Sequence, residues 1–350
     1  MKRRNFLMSA SAAALAVPLL RSSSYGKGLP EGFIHPKALR PGDTVGIITP
    51  STSVTDPDRL KTVARTMNYF GLRWKMGKSV GKRFTDFSSF VGERLDDLHA
   101  MFRDPEVNAV FALRGGYGSP QLLDRIDYDL IRRNPKIFLG FSDITALHLA
   151  IHKRAGLVTF HGPNVASGFS NYTQQHFRRA LFETTPIGKV TNPPETNELR
   201  PNHSLRAIRP GTASGPLVGG NLSLVVATMG TPYEIETRGK ILFIEDVGEE
   251  AYSIDRMLTQ LRLAGKFEQA AGVIFGECAG CGPGDFQPSM ASPYSLGETL
   301  DNILSQLKIP VLNGLTIGHT TDQLTLPLGV MATLDADNGT LEIKEAGVEK

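Results

Sequence analysis

The chain has 350 residues, enough for two domains of ordinary size that each bury a core. Its 38 basic and 35 acidic residues leave a net charge of +3, and no basic block follows the first four positions. That balance excludes an electrostatic footprint for nucleic acid. A hydrophobic fraction of 41% with 21% charged residues is that of a soluble globular protein.

The first element is a targeting segment. Lys2-Arg3-Arg4 precedes Phe6 and Leu7, then an apolar run over 10–20. The run is shorter than the roughly 20 apolar residues a bilayer span needs, but it suits the core of a signal peptide. The paired arginines followed by Phe-Leu resemble a twin-arginine export signal. Residues 1–27 are therefore expected to be a signal peptide cleaved between Ala16 and Lys27. The mature chain is then periplasmic, without stable membrane insertion.

From residue 39 onward strands alternate with helices. Residues 44–49 form an apolar run closed by the turn cluster Pro50–Ser53, and 59–70 have helical spacing that stops at Gly71. A helix over 97–102 precedes a buried-type strand at 109–113, closed by Arg114-Gly115-Gly116-Tyr117-Gly118. Residues 137–141 form a further such strand, followed by a helix from Asp143 to about Arg154. This alternation predicts an N-terminal parallel sheet covered on both faces, over 36–168. Ligands gather at the carboxyl ends of such strands. Residues 169–213 change character, and the prolines and asparagines of 191–201 predict an interdomain linker. A second unit, 214–350, follows. Gly219-Gly220-Asn221-Leu222 opens a helical stretch, 240–244 is a strand, and 254–264 an amphipathic helix. Further strands are expected at 272–275 and 310–312, with a closing antiparallel section at 324–326, 332–334 and 340–344.

Ser142 stands between an apolar strand and a helix, a turn that exposes a hydroxyl and aims backbone N–H groups at developing negative charge. The same pattern serves equally for a serine that only caps the helix. The N–H groups of Asp143 and Gly116 are the candidate oxyanion donors, and Gly115, Gly116 and Tyr117 lie on a loop where glycine lets substrate approach the backbone. Ser119 competes as nucleophile, but Pro120 after it has no N–H to offer. Glu245 shares a strand face with Ile241 and Phe243, where a carboxylate is costly unless a partner such as histidine meets it. His319 follows Gly318 in a loop; His161, before Gly162-Pro163, is the alternative base, and His148 and His152 sit on a helix face. Cys278 and Cys281 form a lone C-x-x-C, open to a local disulfide. No second pair completes a zinc site, so no metal is expected.

The runs around Ser142 (140–146), Glu245 (242–246) and His319, with 114–118, 219–222, 254–258 and 325–329, resemble the LD-carboxypeptidases, the muramoyltetrapeptide carboxypeptidase family of serine peptidases. The resemblance spans 44–329 in the family's order. It implies Ser142, Glu245 and His319 as catalytic triad, with Asn221 beside the substrate. It also implies an α/β fold, with a flavodoxin-like N-terminal domain, a smaller C-terminal α/β domain with a mixed sheet, and a site between them. A homodimer and no cofactor are further implications. The reaction implied is hydrolysis of the terminal D-alanine from a murein tetrapeptide through an acyl-enzyme. Two departures stand out: the signal segment, and an enlarged loop over 278–293. A microcin-immunity-type peptidase of the same family, and a non-catalytic two-domain periplasmic binding protein, are the alternative readings.

Overall fold

The computed structural model describes residues 32–83, 87–195, 197, 199, 201–281 and 294–350. The expected signal segment, and the enlarged loop from residue 282 to 293, lie outside the described residues.

Strands β1 (Thr44–Ile48), β2 (Arg73–Met76), β3 (Ala109–Ala112), β4 (Ile137–Gly140) and β5 (Thr159–His161) pair in parallel in the order β2-β1-β3-β4-β5. This is the flavodoxin order. β1, β3 and β4 are buried throughout, which is why they read as unbroken apolar runs. Alternate residues face two helical layers. Ile47, Phe111 and Leu139 pack with Met67 of α1 (Pro57–Tyr69). Ile48, Val110 and Phe138 pack with Phe102 of α2 (Phe87–Arg103), Ile131 of α3 (Tyr128–Arg133) and Leu147 of α4 (Thr145–Ala155). α5 (Asn171–Phe182) adds Phe177 to the first layer.

A second sheet takes β6 (Gly188–Val190), β7 (Arg206–Arg209), β8 (Thr212–Asn221), β9 (Ile241–Val247), β10 (Gly272–Ala279) and β11 (Val311–Leu315). β8 to β11 run parallel, and β7 closes one edge antiparallel to β11. β12 (Leu326–Leu328) crosses back to pair antiparallel with β5 of the first sheet. β13 (Met331–Asp335) and β14 (Thr340–Ile343) then return to the second sheet, β13 against β8 and β14 against β6. One face of this sheet is covered by α6 (Leu222–Ala227), α7 (Ala251–Leu263), α8 (Lys266–Gln269) and α9 (Leu296–Leu304) through Val225, Leu258, Phe267 and Leu300. No helix among the described residues is long and apolar enough to cross a membrane.

Two sequence expectations need correction. Residues 169–213 are not simply a linker, since they contain α5 and the edge strands β6 and β7. Edge strands have little apolar alternation to betray them; in β7, Arg206, Ala207 and Arg209 are exposed. Of the run 219–222, the first three residues end a ten-residue strand, and only Leu222 belongs to the helix. Gly219 fits there because a Cβ would lie 1.7 Å from the Phe243 carbonyl oxygen.

Candidate active site

Three loops meet at the carboxyl ends of the first sheet, after β1, β3 and β4. Arg94, fully buried on α2, joins two of them. Its guanidinium donates to the carbonyls of Pro50 (2.7 Å) and Gly118 (3.0 Å) and to Gln121 Oε1 (2.7 Å). Burial lowers its pKa to about 10, against the pull of Asp143, so it stays charged at neutral pH. The third loop is tied in by Asp143, whose Oδ2 accepts from Ser51 Oγ (2.5 Å) and from the Ser119 N–H (2.7 Å). Ser119 is buried and its hydroxyl donates to the Asp143 carbonyl, so this rival nucleophile serves as a strut.

Ser142 itself is the single non-glycine residue with positive φ (66°) among those described. An L-residue held there stores strain, a condition that clusters at functional sites. Its Oγ lies 3.0 Å from His319 Nε2, and His319 Nδ1 lies 2.8 Å from Glu245 Oε2. A carboxylate only accepts, so Nδ1 carries the proton and Nε2 is left as acceptor for the serine hydroxyl. Glu245 lies within β9 and is wholly buried, with Asn221 opposite it across the β8–β9 pairing. Gly318 admits it: a Cβ there would stand 2.1 Å from Oε2. The Phe141 ring packs 4.8 Å from that of His319.

The remaining expected residues divide. Gly115 and Gly116 line a cavity of ≈ 390 Å³ with Ser142 and His319. Gly115 lies so near Ser142 that a Cβ would be 3.2 Å from its Oγ. Gly116 (φ 113°) is equally constrained, by Thr52. Tyr117 stays outside that lining, 69% exposed, its N–H donating to Thr52 Oγ1. Asn221 is buried, is not among the cavity's lining residues, and caps α6. Its amide donates to Asp246 Oδ1 (2.9 Å) and its Oδ1 accepts from the Leu224 N–H. The alternative base His161 is buried at the sheet end, its Nε2 2.6 Å from the Ile317 carbonyl; burial lowers its pKa to about 4. His148 and His152 are buried in α4 and are not among the cavity's lining residues. Cys278 and Cys281 form a disulfide with a Cα–Cα distance of 5.5 Å. Among the described residues no cluster of histidine, cysteine and carboxylate could hold a metal.

Sequence reasoning missed Arg59, Asn164 and Ser167 as cavity residues and gave Arg114 no role of its own. Asn164 Oδ1 accepts from the Phe141 N–H (3.3 Å), which fixes the residue before the serine. Its position after Gly162-Pro163, at the end of an apolar strand, was the available signal.

Comparison with known proteins bears on both halves. Residues 45–162 match the LD-carboxypeptidase N-terminal domain and 214–334 the LD-carboxypeptidase C-terminal domain. A probable murein peptide carboxypeptidase of Bacillus subtilis (strain 168) is 43% identical over 90% of this chain and 95% of its own length. The structure of muramoyltetrapeptide carboxypeptidase from Oxalobacter formigenes superposes with a TM-score of 0.72 at 29% identity, covering 87% of this chain and 99% of that one. Microcin C7 self-immunity protein, 32% identical in its Escherichia coli form over 89% of this chain and 96% of its own length, superposes with a TM-score of 0.79 at 29% identity over 90% of this chain and 100% of the other. On both domain matches and this identity along nearly its whole length, the chain belongs to the LD-carboxypeptidase family.

Proposed function

We propose that this protein is a serine carboxypeptidase that hydrolyses the terminal D-alanine from a murein tetrapeptide, with Ser142, His319 and Glu245 as its triad. One observation carries the reading: the unbroken hydrogen-bonded series from Ser142 Oγ through His319 to Glu245, opening into the cavity. In the proposed reaction His319 Nε2 takes the Ser142 proton as Oγ attacks the scissile carbonyl carbon. The N–H groups of Gly116 and Asp143 stabilise the oxyanion; removing one such donor elsewhere costs about 100–1,000-fold in rate. The C–N bond then breaks, and His319 delivers the proton to the departing D-alanine nitrogen. Water, activated by the same imidazole, hydrolyses the acyl-Ser142 ester and regenerates the enzyme. Glu245 holds the Nδ1–H tautomer and stabilises the imidazolium.

The test is release of D-alanine from a murein tetrapeptide, with the pentapeptide alongside, by wild type and Ser142→Ala. Turnover by Ser142→Ala at the wild-type rate overturns the serine mechanism, and no release by wild type overturns the substrate. A second reading, a microcin-immunity-type peptidase, is favoured by the higher TM-score with that protein, one of whose structures is a complex with aspartyl sulfamoyl adenosine. Preferred hydrolysis of a peptidyl nucleotide over tetrapeptide would establish it. Arg3, Arg4 and the apolar run after them support periplasmic residence. Cell fractionation tests that, and light scattering tests the homodimer implied by family resemblance.

A further inference from the structure

The cavity that opens on Ser142 has two arginines, Arg59 and Arg114, and no carboxylate residue in its lining. A carboxypeptidase must recognise a chain end. The end carboxylate belongs to the residue just beyond the scissile bond, and consecutive Cα atoms are about 3.8 Å apart. Its reader must therefore sit beside the nucleophile.

Arg114 meets that condition. It links β3 to Gly115, which lies against Ser142. It is exposed and makes no ion pair or hydrogen bond among the described residues. Arg59 is less available, its Nε already 4.0 Å from Asp56 Oδ2. Arg94 is buried and engaged by two carbonyls and Gln121. An arginine without an ion-pair partner, at a cavity whose lining holds no carboxylate, suits bidentate binding of a carboxylate. We propose that Arg114 binds the free C-terminal carboxylate of the substrate and so restricts the enzyme to the last residue of the peptide. The inference rests on the carboxypeptidase reading above.

The experiment compares a murein tetrapeptide with the same peptide ending in a carboxamide, on wild type and Arg114→Gln. Hydrogen bonds to charged groups set the expected scale, so wild type should prefer the acid about 10- to 100-fold in kcat/KM. In Arg114→Gln the acid should fall to the carboxamide's level while the carboxamide rate and melting temperature stay as in wild type. Arg114→Lys should keep part of the preference. A retained acid preference in Arg114→Gln overturns the assignment, and so does an equal loss on both peptides, which would mark a merely structural role. No turnover of either peptide by wild type overturns the carboxypeptidase reading itself, and this inference with it.

Discussion

Gly318→Ala isolates the part Glu245 plays. The added Cβ would stand 2.1 Å from Glu245 Oε2, 2.7 Å from its Cδ and 2.9 Å from its Cβ. Real Cβ contacts do not come so close, and Glu245 is fully buried with no room to retreat. The oxygen that must move is the one 2.8 Å from His319 Nδ1. Gly318 does not have a positive φ, so the effect is steric and not one of backbone strain. Overpacking of this kind costs about 1–3 kcal/mol, so the protein should still fold. Activity should suffer far more, because a triad whose carboxylate no longer orients its histidine loses about 10⁴-fold in kcat. The assay is D-alanine release, with circular dichroism to confirm folding. Glu245→Gln should lose a similar factor, and the double variant no more than either alone, since both act through one hydrogen bond. A folded Gly318→Ala enzyme with kcat within about threefold of wild type would refute the argument, because so small a change is far below the loss expected of a disoriented histidine.

Three further outcomes are expected. Ser142→Gly should be more stable than Ser142→Ala by about 1 kcal/mol, because both lose the hydroxyl but only glycine relieves the φ of 66°; equal melting temperatures would remove the strain. Gly219→Ala should cost about 4 kcal/mol or more, read as loss of soluble protein, because its Cβ meets the Phe243 carbonyl at 1.7 Å and neither backbone can yield. His203 lies 2.7 Å from Glu277 Oε1 and 3.2 Å from Asp322 Oδ2. Burial, the largest influence, pushes its pKa down, but the bonds and charge of the two carboxylates lift it above the ordinary value. A folded-state value above the unfolded one stabilises fully below the unfolded pKa of about 6.5 and fades as pH rises through the folded value. His203→Gln should therefore cost about 2–4 kcal/mol near pH 5.5 and less near pH 8.5. A pH-independent deficit in denaturant melts would contradict this.

Legibility in the sequence followed burial. β1, β3 and β4 were readable because they are apolar on both faces, and the turn at Ser142 because a helix follows one of them directly. Glu245 was readable from alternation with Ile241 and Phe243, which do face one core. β2 and β7 were not, since edge strands carry arginine and lysine instead of an apolar pattern. An asparagine after two glycines looks the same whether it meets a substrate or a helix N-terminus, so the cap that Asn221 forms on α6 was not legible. The cavity lining was least legible. Arg59, Arg114, Asn164 and Ser167 become neighbours of Ser142 only when three strand-end loops and the start of α1 converge.

The Ser142–His319–Glu245 series also depends on a seam between two sheets, and the chain secures that seam at several points. Ser142 belongs to the first sheet, while Glu245 and His319 come with the second. Thr145, three residues after Ser142, accepts the Asn221 N–H through its Oγ1 (2.9 Å). Gly220 leaves space for it, since a Cβ would lie 2.5 Å from that oxygen. On the other side His161 Nε2 donates to the Ile317 carbonyl, two residues before His319. β12 then follows His319 and pairs with β5, so the segment carrying His319 ends as a strand of the sheet that carries Ser142. Misplacement by about 1 Å can cost a hundredfold in rate. A hinge between the units would put the 3.0 Å Ser142–His319 contact at that risk, and the crossing strand with its flanking bonds fastens both ends of the histidine loop against it.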